Sequence, residues 1–102
     1  MDARPAAHAL AQIAGYLELA AENRFKVKAY QTAARSILAL GVDDLGPMLR
    51  SGELAQVRGL GKATLGVLLE FAETGESSYL EQLRAQMPEG LLELTRVPGL
   101  ST

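Results

Sequence analysis

The chain has no cysteine, which removes disulfides, thiolate metal sites and thiol catalysis together. Aromatic residues make up only 5% of it, and β-branched residues never gather into an alternating run, so the period-two signal of strands is missing. His8 is the only histidine and stands in an alanine-rich stretch without ligand partners, which argues against a metal site. No apolar run approaches the roughly 18 residues that cross a membrane, and Met1-Asp2-Ala3-Arg4 does not lead into a signal-peptide core. These absences together point to a soluble, cytoplasmic, all-α chain with no membrane partner.

What is present is alanine, leucine and charge. The 102 residues, 10.9 kDa and 48% hydrophobic, are enough for one domain with a modest core, though not for one that easily encloses a deep catalytic pocket. The net charge is only −2, which argues against a generic polyanion binder, but the charges are unevenly placed. Residues 1–22 sum to −2, through Asp2, Glu18 and Glu22 against Arg4. Residues 23–62 sum to +4, through Arg24, Lys26, Lys28, Arg35, Arg50, Arg58 and Lys62 against Asp43, Asp44 and Glu53, and the remainder sums to −4. One basic face follows, in an acidic chain.

Helical periodicity runs through the chain. Pro5 can sit in a first helical turn, and Leu10, Ile13, Ala14, Leu17 and Ala21 follow helical spacing toward Glu22. Asn23 can cap a second helix with an apolar face of Phe25, Ala29, Ala33, Ile37 and Leu38 that ends at Gly41. Asp43 or Asp44 caps a short third helix carrying Leu45, Met48 and Leu49, with Gly46-Pro47 in its first turn and Gly52 closing it. Adjacent residues at a helix start do not face each other, so this acid pair reads as a cap and not as acid/base machinery. Glu53 to Val57 forms a single turn. Lys62 to Thr74 forms a further helix, with Leu65, Leu68, Leu69 and Ala72 inward and Gly75 as its left-handed stop. Ser77 or Ser78 caps a sixth, with Leu80, Leu83 and Met87, and Pro88 opens a last short one.

Between two of these helices lies Val57-Arg58-Gly59-Leu60-Gly61-Lys62. A Gly-hydrophobic-Gly turn opening a helix brings backbone N–H groups and the positive end of the helix dipole to one spot, the geometry that receives a phosphate. The glycines permit positive φ and close approach of a DNA backbone, and Leu60 plugs the angle between the helices. N–H groups at Gly59, Gly61 and the next helical turn can donate to phosphate oxygens, and Lys62 adds charge. Such contacts position DNA without reading its sequence. The same turn also serves as an ordinary corner between helices. Three features favour phosphate: the basic segment upstream, the immediate Lys62, and a repeat 40 residues on, where Glu93 to Ser101 can be laid over Glu53 to Gly61 with matching Glu, Leu, Val, Gly and Leu. The expected organisation is a helical DNA-binding domain over 1–88 with its helix-hairpin-helix at 53–75, and the start of a second, truncated one over 89–102.

The chain resembles the N-terminal eight-kilodalton-type domain of X-family DNA polymerases, of the bacterial PolX type. The resemblance runs from about Ile13 onward, through Asn23 to Arg35, Val57 to Gly61, Leu69-Glu70-Phe71, Thr74-Gly75 and Val97 to Leu100. It implies a compact bundle of short helices like the N-terminal domain of DNA polymerase beta, binding gapped or nicked DNA at the 5′ side of a gap in base excision repair. It also implies a bacterial, nucleoid-associated protein whose polymerase (nucleotidyltransferase) domains, with their Mg²⁺ or Mn²⁺, lie beyond this fragment. The resemblance places Lys26 and Tyr30 in the family's phosphate pocket, whose other basic positions fall on Thr32, Ala63 and Tyr79. The DNA-binding set is then Gly59, Leu60, Gly61, Lys62, Thr64, Lys26, Lys28, Tyr30, Arg24 and Arg58. A monovalent cation, K⁺ or Na⁺, falls on the carbonyls of Ala55, Val57 and Leu60; no other cofactor is expected here.

Besides those three lost basic positions, the chain departs from the family's pattern at three further places. The lysine that forms a Schiff base in the DNA polymerase beta branch falls on Val67, which cannot form an imine. Arg58 stands where the family has proline, and Ser101 replaces a hairpin glycine. The family's nucleotidyl-transfer signature, a Gly-Ser followed by paired aspartates for Mg²⁺, is absent from this fragment, so no complete active site is expected in it. Two alternatives stay open: a deoxyribose-phosphate lyase using Lys26, Lys28 or Lys62, and a protein-docking helical domain in which the glycine turn is only a turn.

Overall fold

A computed structural model describes residues 1–86 of the chain. It is built of α1 (Ala3–Leu19), α2 (Arg24–Ala39), α3 (Gly46–Ser51), a 3-10 turn (Leu54–Gln56), α4 (Lys62–Thr74) and α5 (Ser78–Gln86). The all-α class read from the composition holds. Met87, the short helix after Pro88 and the second hairpin over 89–102 lie outside the described residues.

α1 and α2 pack as antiparallel neighbours, because only a short corner separates them. The main chain closes that pair at its far end: Ala3 N–H donates to the Asp43 carbonyl at 2.8 Å and Leu45 N–H to the Met1 carbonyl at 2.8 Å. Leu10, Ile13 and Leu17 of α1, Ile37 of α2, Leu45, Leu54 and Leu68 are the largest fully buried side chains. Burial of each such side chain is worth about 1.5–3 kcal/mol. Ala6, Ala7, Ala9 and Ala14 are buried as well, and their small side chains let the helices approach closely.

The helix ends follow local chemistry. Asn23 caps α2 by accepting the Phe25 N–H at 2.7 Å. The N-cap of α3 falls on Leu45, not on either aspartate, and makes no side-chain cap bond, because the chain turns helical one residue later; Asp44 stands just before it, accepting the Gly46 N–H at 2.9 Å and the Met1 ammonium at 2.8 Å. Ser77 precedes α5 and accepts the Leu80 N–H at 3.3 Å. Gly52 (φ 87°) and Gly75 (φ 79°) end α3 and α4 in the left-handed region.

Three apolar faces differ from the sequence expectation. α1 ends at Leu19, and Ala21 is no longer helical: with φ 57° it is a non-glycine residue in the left-handed region. The Ala21 N–H reaches the Glu18 carbonyl and the Glu22 N–H the Leu17 carbonyl, both at 3.0 Å, so alanine fills the place that glycine takes in a Schellman stop. In α2 the buried row is Val27, Tyr30, Ala33, Ala34 and Ile37, while Ala29 is exposed and Phe25 and Leu38 stand in solvent, 83% and 57% exposed. Both rows have helical spacing; the second wins because it continues through Tyr30 to the start of α4. In α4, Thr64, Val67 and Leu68 are buried, whereas Ala72 is exposed and Leu69 is 48% exposed. Docking of α4 through Thr64 turns the helix away from the face that leucine spacing favours.

Candidate nucleic-acid interface

The hairpin begins at the 3-10 turn. Leu54 is fully buried and anchors it, and Val57, extended at φ −68° and ψ 127°, leads into Arg58 and Gly59. Leu60 N–H folds back onto the Val57 carbonyl at 3.2 Å, and the Leu60 side chain packs partly buried against the core, the plugging role its position predicts. Gly61 then precedes α4 as its N-cap.

The two glycines answer to different demands. Gly59 has φ 99°, a region L side chains rarely adopt. A Cβ there would collide with Ser36 Oγ and crowd Thr32 Cγ2 at 3.2 Å. Gly59 therefore lets the hairpin seat on α2, an internal requirement. Gly61 is extended, φ −110° and ψ −177°, and a Cβ there would meet nothing within 4 Å. Neither conformation nor internal packing among the described residues demands a glycine at 61, and bare backbone lies exposed there.

The first turn of α4 presents donors to that side. The Gly61 N–H, one of the expected phosphate donors, is already taken by Thr64 Oγ1 at 2.8 Å, and the same hydroxyl donates to the Gly61 carbonyl at 3.0 Å. Thr64 is only 2% exposed, so its side chain belongs to the cap. The N–H groups of Gly59, Lys62, Ala63 and Thr64 have no partner among the described residues, and the dipole of α4 reinforces the last three. Lys62 and Arg58 are exposed on either side.

Beside this turn runs a shallow cleft of 340 Å³ lined by Lys26, Tyr30, Ala63, Gly66, Val67, Glu70 and Tyr79. The Tyr30 and Tyr79 rings meet at 5.9 Å, tilted by 36°, and the Lys26 ammonium lies 5.7 Å from the Tyr79 ring centroid and 4.0 Å from Glu22 Oε1. The Tyr79 phenol first, and Glu22 more weakly, raise the Lys26 pKa. Tyr30 is 4% exposed, so most of its ring is core and only an edge reaches the cleft; burial raises its phenol pKa and keeps it neutral. The Ser78 hydroxyl and N–H beside Glu70 lower its carboxyl pKa, with the Ser78 N–H bonded to Glu70 Oε1 at 3.0 Å. Val67, at the Schiff-base position implied by the resemblance, is 6% exposed and forms part of the cleft wall.

The structure thus brings Lys26 and Tyr30 next to the start of α4 and leaves Arg24 and Lys28 outside the cleft, exposed on the first turns of α2. Sequence reasoning missed Gly66 and Glu70 as cleft residues and the exposure of Phe25. A glycine inside a helical run was the available signal for Gly66.

A helix, a Gly-Leu-Gly turn seated on a neighbouring helix, and a second helix opening on free amides define a helix-hairpin-helix protein. The chain belongs to the helix-hairpin-helix domain family, whose model matches residues 1–77. It is also similar to the DNA polymerase/3'-5' exonuclease PolX of Bacillus subtilis (strain 168), 41% identical over 91 residues that cover 89% of this chain and 15% of that protein. The chain therefore spans a small part of the relative it matches. No helix of the described residues is long and apolar enough to cross a membrane.

Proposed function

We propose that this domain binds DNA through backbone phosphates, without sequence specificity, as the DNA-binding module of a PolX-like repair polymerase acting at the 5′ side of a gap. The observation that carries the reading is the contrast between the glycines: Gly61 has open space where its Cβ would be, directly before the free amides of Lys62, Ala63 and Thr64. A phosphate oxygen seated there meets bare backbone, N–H donors and the Lys62 ammonium. The kinship to PolX supports a polymerase context. Arg58, Arg24 and Lys28 extend the basic surface, and Phe25 stands in solvent between the last two, placed to stack on an unpaired base.

A monovalent cation at the hairpin belongs to the same proposal. The Ala55 and Leu60 carbonyls accept no backbone hydrogen bond among the described residues, while that of Val57 accepts one, so all three oxygens retain capacity for a hard cation. Bound there, the ion would supply positive charge for a phosphate beside the turn.

Fluorescence anisotropy with a gapped duplex across a salt series tests the reading. Affinity falls with salt by about 0.9 log units per log unit for each neutralised phosphate, and Lys62→Ala removes about one such contribution. Salt-independent binding, or an unchanged slope in the variant, is the result that sinks it.

A further inference from the structure

On α2, Thr32 and Ser36 face Gly59 of the hairpin. Ala34 and Leu38 each stand two residues further on, about 200° round the helix, and with Ala11, Ala14 and Gly15 of α1 they line an open, largely apolar groove of 500 Å³. Leu38, 57% exposed, also lines a second groove of 880 Å³ beside Pro5 and Val42, and Val42 is 37% exposed. Neither groove shares a residue with the cleft beside α4, so a chain held on DNA through its hairpin leaves this face open.

Gly15 sets the shape of the face. It lies inside α1, outside the left-handed region, and a Cβ there would meet nothing within 4 Å. Glycine inside a helix is less stable than alanine, and nothing among the described residues calls for it at 15. Its consequence is on the surface: bare backbone at Gly15 and the methyl groups of Ala11, Ala14 and Ala34 make a floor low enough to seat a large apolar side chain beside Leu38.

Size and charge select the occupant. Two exposed large apolar side chains over a floor of small ones fall well short of the about 1,000 Å² that two free molecules need for a stable interface. A tethered partner needs less, because its linker holds it at an effective concentration in the millimolar range. This chain spans 15% of the PolX relative, which leaves most of such a polypeptide to supply that partner. Arg35, at the groove, is exposed and forms no ion pair among the described residues, so it is available to a carboxylate on the partner.

Resting on the reading of this chain as one module of a PolX-like polymerase, we infer that the face formed by α1 and α2 docks the polymerase portion of the same polypeptide. An apolar side chain of that portion sits on Gly15 beside Leu38, and a carboxylate meets Arg35. The domain is then oriented by one face while it holds DNA with the other.

The test places Leu38→Glu and Gly15→Leu separately in the whole polypeptide and in this 102-residue chain. In the 102-residue chain both changes fall on open surface, so Tm should stay within about 2 °C or, for Gly15→Leu, rise, and affinity for gapped duplex should not change. In the whole polypeptide each should raise the radius of gyration measured by small-angle X-ray scattering, while Leu38→Met, which keeps the apolar contact, should leave it as in wild type. A wild-type radius of gyration in both disruptive variants overturns the inference. So does self-association of the 102-residue chain in sedimentation that Leu38→Glu abolishes, because the face then belongs to a second copy. A whole polypeptide that fills no one-nucleotide gap fails the polymerase reading instead, an outcome separate from the scattering result.

Discussion

Gly59 meets Ser36 of α2 so closely that a single methyl at position 59 would collide with the Ser36 hydroxyl. The hairpin is thereby registered against α2, and the amides at the start of α4 inherit their place from that seating. Gly59→Ala forces a left-handed alanine, costing about 1–2 kcal/mol, and overpacks the contact, costing about 1–3 kcal/mol more. A large fall in Tm is expected by differential scanning fluorimetry.

Gly61→Ala has the opposite signature. With open space at its Cβ and an ordinary φ, the substitution should change stability by no more than about 0.5 kcal/mol. Affinity for gapped duplex should nevertheless drop, because on the proposed reading the methyl would stand where a phosphate approaches. A parallel loss of Tm and affinity would instead assign Gly61 to the fold.

Ala21→Gly should stabilise the domain. The left-handed conformation at φ 57° costs alanine about 1–2 kcal/mol, while glycine's larger unfolded-state entropy returns about 0.4–1 kcal/mol of that. A net gain of about 0.5–1 kcal/mol is expected in urea unfolding, read as a higher midpoint with unchanged slope.

The Met1 ammonium, and then the Gly46 N–H, hold the Asp44 carboxyl below its ordinary pKa. A depressed carboxylate contributes stability above its unfolded pKa, and the contribution disappears as pH falls through the lower folded value. Thermal melts from pH 7 down to pH 2 should show Tm declining on that acid limb, and Asp44→Asn should flatten this component while lowering Tm at neutral pH. An identical acid limb in the variant would show that the pair contributes nothing.

Phe25→Ala separates surface from core. A side chain 83% exposed contributes little to folding, so Tm should stay within about 1 °C of wild type. If the ring stacks on an unpaired base, affinity for gapped duplex should fall by a factor corresponding to about 1–3 kcal/mol. A drop in Tm comparable to that of a buried phenylalanine would return Phe25 to the core face first read from its spacing.

The sequence alone determined the helical class, the helix stops at Gly52 and Gly75, the caps at Asn23 and the serines before α5, and the hairpin with the exact span of α4. These are local matters: a capping oxygen, a left-handed glycine and a 3.6-residue period act within a few residues of themselves. The tertiary structure decided which of two equally periodic rows on α2 turns inward, exposing Phe25 and burying Tyr30, because that choice depends on where α4 and α5 lie. It also separated Gly59, required by α2, from Gly61, required by nothing among the described residues, although the two look alike in the sequence. And it drew Gly66, Glu70 and Tyr79 into one cleft with Lys26, since residues far apart in the chain share a wall only once the helices have packed.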